Sequence, residues 1–366
     1  MIRQADPPPL PRWEALVTDR AAHGAPNVAE LEQLGLTPDD ILDFSVNSNA
    51  YGPSPAVADA IRRVPLDRYP DPEALMLRRA LAHHHGVSPD RIIVGNGTAE
   101  LIHLMALAFV RFGDSVGILA PTFGEYERAV RLLGARVVEC TATEDNGFTV
   151  DEDAVGLMIQ HVQPRLFFLC RPNNPTGGVV SLDALRAWAA ASPCTLIVVD
   201  EAYINFAPEI PSALDLEQPN ILVLRSMTKD YALAGLRLGY AIAAAPVIEA
   251  LARVRPEWNV NALAQAAGLA ALADQAHLWR TIALLRAAHQ DLVQHLMTLG
   301  LLAVPSAVHF SLVKVGNGRL LRQRLLIRKI QVRDCASFSL PAYVRIATRR
   351  PEENTRLLDA LHEILT

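Results

Sequence analysis

Apolar runs rich in β-branched residues alternate along the first two thirds of this chain with Ala-, Leu- and Arg-rich stretches of helical spacing. The runs predict seven strands, at residues 91–94, 115–119, 136–139, 165–170, 195–199, 221–225 and 237–243. Helices are predicted between most of them, at 99–112, 125–133 and 181–191. Such strand–helix–strand alternation predicts an α/β fold whose sheet is largely parallel. Beyond it helices dominate (246–253, 261–300), followed by strands at 308–315 and 343–347 and a helix at 352–365. The expected organisation is a large domain over 43–246 and a smaller α+β domain from 1–42 and 247–366. The segment before Asp43 is too short for a core of its own.

Composition narrows the classes. Hydrophobic residues make up 51% of the 366 and charged residues 20%, which excludes global disorder. A net charge of −5 argues against a nucleic-acid or anionic-membrane binder. No apolar run reaches membrane-helix length, and the N-terminus lacks a signal-peptide core. The prolines at 7–11 read as an extended tail. Four scattered cysteines, without metal spacing, fit a reducing cytoplasm, and no metal site is expected.

In a parallel sheet, ligands gather at the carboxyl ends of the strands. After the first predicted strand comes Gly95-Asn96-Gly97-Thr98-Ala99-Glu100, entering a helix. Glycines before a helix N-terminus offer backbone N–H groups to a phosphate. Later strand ends carry Arg171-Pro172-Asn173-Asn174-Pro175-Thr176-Gly177, then Asp200-Glu201-Ala202-Tyr203, then Arg225-Ser226-Met227-Thr228-Lys229 followed by Arg237. Taken singly, these read as turns, a helix cap, a solvated lysine and a structural ion pair. Their joint order fits a phosphate-bearing aldehyde cofactor with a pyridine ring. Lys229 would form the Schiff base, and Asp200 would pair with the pyridinium nitrogen and keep it charged. Tyr203 and Asn174 could bond the phenolic oxygen of the ring. Ser226, Thr228, Arg237, Gly97 and the Thr98 and Ala99 amides could surround the phosphate. Phe123 could stack on the ring; its rival reading is core packing.

These motifs, with Arg237-Leu238-Gly239, resemble the pyridoxal-phosphate enzymes of fold type I, the class I/II aminotransferase group, over essentially the whole chain. The resemblance implies pyridoxal 5'-phosphate as cofactor, a two-domain subunit and a homodimer with shared active sites. It implies that Arg345 holds a substrate carboxylate and that Tyr51 reaches the neighbouring subunit's cofactor phosphate. Two branches share Arg68-Tyr69-Pro70-Asp71 and the paired arginines Arg333 and Arg345 with this chain: the histidinol-phosphate aminotransferases and the threonine-phosphate decarboxylases. His23-Gly24 and the Asp43–Asn47 stretch resemble the decarboxylases. Tyr51-Gly52-Pro53-Ser54-Pro55 and the segment from Ser339 to Ile346 resemble the aminotransferases. Arg333 and Arg345 are expected to orient a small, phosphorylated amino substrate, with His23 and Asn47 as further contacts. Amino transfer is placed ahead of decarboxylation. A non-catalytic cofactor sensor is the remote alternative, because the sequence before Asp43 shows no helix-turn-helix pattern.

Other features read as structural. His83-His84-His85 point in different directions on a helix that ends before Gly86. The basic stretch from Arg322 to Arg333 reads as an amphipathic helix followed by a strand. Cys170 and Cys335 read as small packing residues.

Overall fold

The computed structural model describes residues 13–18 and 24–366. His23 and the Pro-rich segment lie outside the described residues. Among those described, no helix is long and apolar enough to cross a membrane.

After the short helices Trp13–Val17 and Val28–Gln33 comes a two-residue strand, β1 (Leu42–Asp43), and then the chain builds a seven-stranded sheet. Its strands are β2 (Ile92–Gly95), β3 (Ser115–Ala120), β4 (Arg136–Thr141), β5 (Leu166–Cys170), β6 (Leu196–Asp200), β7 (Ile221–Ser226) and β8 (Gly239–Ile242). Their order across the sheet is β2-β8-β7-β6-β5-β3-β4. β8 runs antiparallel to both its neighbours and the other pairings are parallel, as the strand–helix alternation requires. Central strands are buried on both faces, so they read as unbroken apolar runs. In β5, Leu166 and Phe168 enter one core while Phe167 and Leu169 enter the other. In β6, Leu196 and Val198 face the first core, and Ile197 and Val199 the second. Each strand is thus clamped between two helix layers, and a one-residue slip would exchange its faces.

The predicted helices are present with shifted ends. The first stops at Phe109, because Val110 is already extended. The 261–300 stretch is two helices, Ala262–Ala273 and Gln275–Thr298. Asp274 breaks it: its carboxylate caps His277 N and accepts the Ser54 hydroxyl at 2.6 Å. Helices Pro55–Arg62 and Glu152–Val162 are not among the predicted elements, while Leu75–His85 and Gly318–Ile327 are the helices expected before Gly86 and in the basic stretch. Leu75–His85 ends at Gly86 in the left-handed region, where a glycine costs least.

The last third adds β9 (Leu302–Ala303), β10 (Phe310–Lys314), β11 (Ile330–Gln331), β12 (Arg333–Asp334) and β13 (Tyr343–Ala347). β12, β13, β10 and β9 form a second, antiparallel sheet in that order. β11 pairs in parallel with β1, so Leu42 and Phe44 enter the same core as Leu292, Val344 and Leu357. The early segment therefore packs on the late one. The basic stretch is the helix Gly318–Ile327 followed by β11 and β12.

Candidate active site

The loop after β2 passes through Gly97 into the helix Thr98–Phe109. Gly97 has φ +79°, and a Cβ there would lie 2.6 Å from Arg237 Nη2. Glycine is needed twice over, for the backbone angle and for the approach of the guanidinium. A Cβ on Gly239 would meet Thr98 N at 2.8 Å. The start of β8 therefore lies against the helix N-terminus. Across the ladder, Ser226 is the register partner of Gly239. The Ser226 and Thr228 hydroxyls, both buried, are 2.7 Å apart. Helix amides, one guanidinium and two hydroxyls thus meet at a single corner, an arrangement suited to a phosphate.

Asp200 ends β6. Its Oδ2 accepts the Tyr126 hydroxyl at 2.7 Å and its Oδ1 the Ala202 N–H at 3.0 Å. Burial pushes the carboxyl up to about 6, against the pull of these donors. The next residue, Glu201, turns the other way, to Arg225 at 2.9 Å and Arg171 at 3.4 Å. One acid thus serves the site and its neighbour the scaffold. Lys229 lies three residues beyond the end of β7. Burial, with Arg345 and Arg237 nearby, pushes its amine down to about 8. A neutral amine is then available close to physiological pH. Asn49 pins this loop: its N–H bonds Lys229 O at 2.8 Å and its side chain bonds Asp230 O at 3.0 Å.

The opposite wall comes from the small sheet. Arg345, in β13, is 5% exposed. It donates to Asn174 Oδ1 and, at 2.6 Å, to Ser45 O. Its guanidinium lies 5.6 Å from the Phe310 ring, which also meets Tyr203 edge-on at 5.1 Å. Burial raises the Tyr203 phenol. Among the described residues no carboxylate forms a salt bridge with Arg345. Arg333 is its direct cross-strand partner, so both side chains leave the same face. Arg333 bonds Ser337 Oγ at 2.6 Å and lies over Phe338. Asn47 is 1% exposed, and neither amide atom has a partner of good geometry, although it faces the Tyr203 phenol. His309 likewise is buried, and among the described residues neither ring nitrogen has a partner of good geometry, although the Asn47 backbone faces it.

Lys229, Asp200, Tyr203, Asn174, Arg345 and Arg237 are thus linked by direct contacts or by mutual charge effects. Phe123 meets Tyr126 edge-on at 5.6 Å. Tyr51 lies elsewhere, with the Arg350 guanidinium 5.3 Å above its ring. Cys170 and Cys335 are buried and their thiols are pushed up, which suits packing. The residues missing from the sequence reading are Tyr126, Asn49, Ser45 and His309. Tyr126 lies one helical turn after Phe123, which was its available signal. Asn49 and His309 lie in loops without a motif, and Ser45 lies within the Asp43–Asn47 stretch, where the sequence assigns it no role.

A family model described as aminotransferase class I and II matches residues 39–361, and the chain belongs to that family. It is 37% identical over 347 residues to a histidinol-phosphate aminotransferase of Akkermansia muciniphila, covering 93% of this chain and 95% of that protein. Its fold matches the histidinol-phosphate aminotransferase of Sinorhizobium meliloti in complex with pyridoxal-5'-phosphate. That match has a TM-score of 0.85 and 29% identity, over 93% of this chain and 95% of the other. L-threonine-O-3-phosphate decarboxylase from Porphyromonas gingivalis gives a TM-score of 0.78 and 28% identity, over 89% of this chain and 99% of the other.

Proposed function

We propose that this chain is a pyridoxal-phosphate-dependent histidinol-phosphate aminotransferase, exchanging an amino group between histidinol phosphate and 2-oxoglutarate. The observation that carries the substrate class is Arg345. A guanidinium buried against neutral oxygens, with no carboxylate salt bridge, is costly unless an anion completes it. Arg333 on the same face adds a second positive group, which suits a phosphate or a carboxylate.

The residues fit the cofactor. The Gly97 corner accepts a phosphate, the Lys229 amine suits an aldehyde, and the buried Asp200 carboxylate suits a ring N–H. When bound, the cofactor supplies an electron sink for cleavage of a bond at the substrate carbon that bears nitrogen. Lys229 then moves a proton at that carbon. Asp200 would hold the ring proton, Tyr203 and Asn174 would bond the ring oxygen, and Phe123 would pack against the ring. Arg345 and Arg333 hold the anionic end of the substrate, with Asn47 beside them. His23 is a further proposed anion contact. Tyr51, which lies under the Arg350 guanidinium, is proposed to complete the site of a partner in a homodimer. The large domain over 43–246 carries the cofactor residues and the remainder covers them. Scattered, unpaired cysteines support a cytoplasmic setting.

The test incubates the cofactor-loaded enzyme with histidinol phosphate plus 2-oxoglutarate, and separately with O-phospho-threonine. Glutamate and the imidazole ketone phosphate are expected by mass spectrometry. Aminopropanol phosphate instead would replace this reading with decarboxylation.

A further inference from the structure

Tyr126 is buried at 0% exposure in the helix Glu125–Arg131. Its ring stacks on Phe168 at 5.1 Å with an interplanar angle of 9°. A phenylalanine would pack there equally well, so packing does not account for the hydroxyl. That hydroxyl donates to Asp200 Oδ2 at 2.7 Å. The other carboxylate oxygen is held by Ala202 N–H, so rotation of the carboxylate is blocked at both ends. Each oxygen keeps a free lone pair, which leaves room for one further donor. Tyr126 also meets Phe123 edge-on and bonds Phe123 O through its own N–H at 3.3 Å. One side chain therefore touches both the stacking residue and the proposed partner of the ring nitrogen.

We infer that Tyr126 is a positioning residue, whose hydroxyl fixes the Asp200 carboxylate in place and ties its orientation to Phe123. The inference rests on the functional reading above, in which Asp200 meets the cofactor ring. The titratable groups around this carboxylate are Lys229, Glu201, Tyr203, Cys170 and Tyr126 itself. Burial and the charge on Asp200 hold the phenol neutral, so it remains a donor throughout the working range. A donor to the ionised carboxylate favours that form.

The experiment measures uptake of pyridoxal phosphate by cofactor-free protein across pH, read from its visible absorbance. Below the Lys229 step at about 8, wild type should show a second loss of affinity with a midpoint at about 6. Tyr126→Phe should fold normally and move that midpoint up by about one pH unit, which makes uptake about fivefold weaker at pH 6 and about tenfold weaker well below it. In an Asp200→Asn background the same change should alter uptake by less than about twofold, because the hydroxyl acts through Asp200. Phe168→Leu loosens the same packing and keeps the hydroxyl, and it should leave the midpoint in place. An unmoved midpoint in Tyr126→Phe, an equal loss in the Asp200→Asn background, or an equal shift in Phe168→Leu overturns the inference. Failure of Tyr126→Phe to fold also overturns it, by making the hydroxyl a stability element. If wild type takes up no pyridoxal phosphate at any pH, the functional reading falls and this inference with it. Normal uptake with an unmoved midpoint in the variant removes this inference alone.

Discussion

At the large sheet, the anion corner is assembled from Gly97, Thr98, Ser226, Thr228 and Arg237, which lie at or just beyond the ends of strands that touch in the ladder. At the small sheet, Arg345 is held by Ser45 from the first fifty residues and by Asn174 from the middle of the chain. The first half needs only neighbouring strand ends, and backbone amides do part of the work. The second half depends on long side chains anchored across the cleft. A phosphate held by backbone suits a resident cofactor. A guanidinium held through loops suits a ligand that comes and goes.

The largest way to break this contrast is at Lys229, where both halves meet. Lys229→Ala should lose about 10⁴-fold or more in turnover and lose the visible absorbance of bound cofactor. Retained colour at the wild-type position would remove the proposed attachment. Asp200→Ala should keep the fold and lose roughly 10²–10³-fold in turnover, read by product formation beside circular dichroism. Near-normal turnover would refute its role at the ring. Arg345→Ala should separate the halves. Cofactor uptake should survive while kcat/KM for histidinol phosphate falls roughly 10–100-fold. Equal damage to cofactor affinity would mean that the two sites are one structural unit. Gly97→Ala should do the reverse, with about tenfold weaker cofactor binding. The new Cβ sits 2.6 Å from Arg237 Nη2 at a positive φ, a strain of about 1–3 kcal/mol. Unchanged affinity there would show that the corner is softer than its geometry.

The mildest test is pH. Below about 6 the Asp200 carboxyl is protonated, and below about 8 the Lys229 amine is charged. Cofactor uptake by the free chain should therefore rise with pH through both values and level off above about 8. A flat profile between pH 5 and 9 would show that neither group controls loading.

The same contrast explains what the sequence made legible. The strands of the large sheet were readable because most are short apolar runs bounded by turns, and the proposed cofactor residues follow several of them at once in the chain. Asn174, Asp200, Tyr203 and Lys229 needed no knowledge of distant packing. Asn49 and His309 carry no local pattern, and only tertiary contacts reveal them or show that Ser45 holds Arg345. The break at Asp274 was invisible because its cap partner, Ser54, lies far away in sequence. Helices such as Glu152–Val162, with polar and apolar residues mixed, give a weak periodic signal.

The parallel pairing of Leu42–Asp43 with Ile330–Gln331 has a consequence for biogenesis. During synthesis the early strand leaves the ribosome long before its partner is made. At roughly 10 residues per second, that interval is on the order of half a minute. The large sheet can close in the meantime, but Leu42 and Phe44 stay uncovered until the C-terminal lobe arrives. Co-translational chaperone occupancy should therefore persist on this segment almost to chain termination.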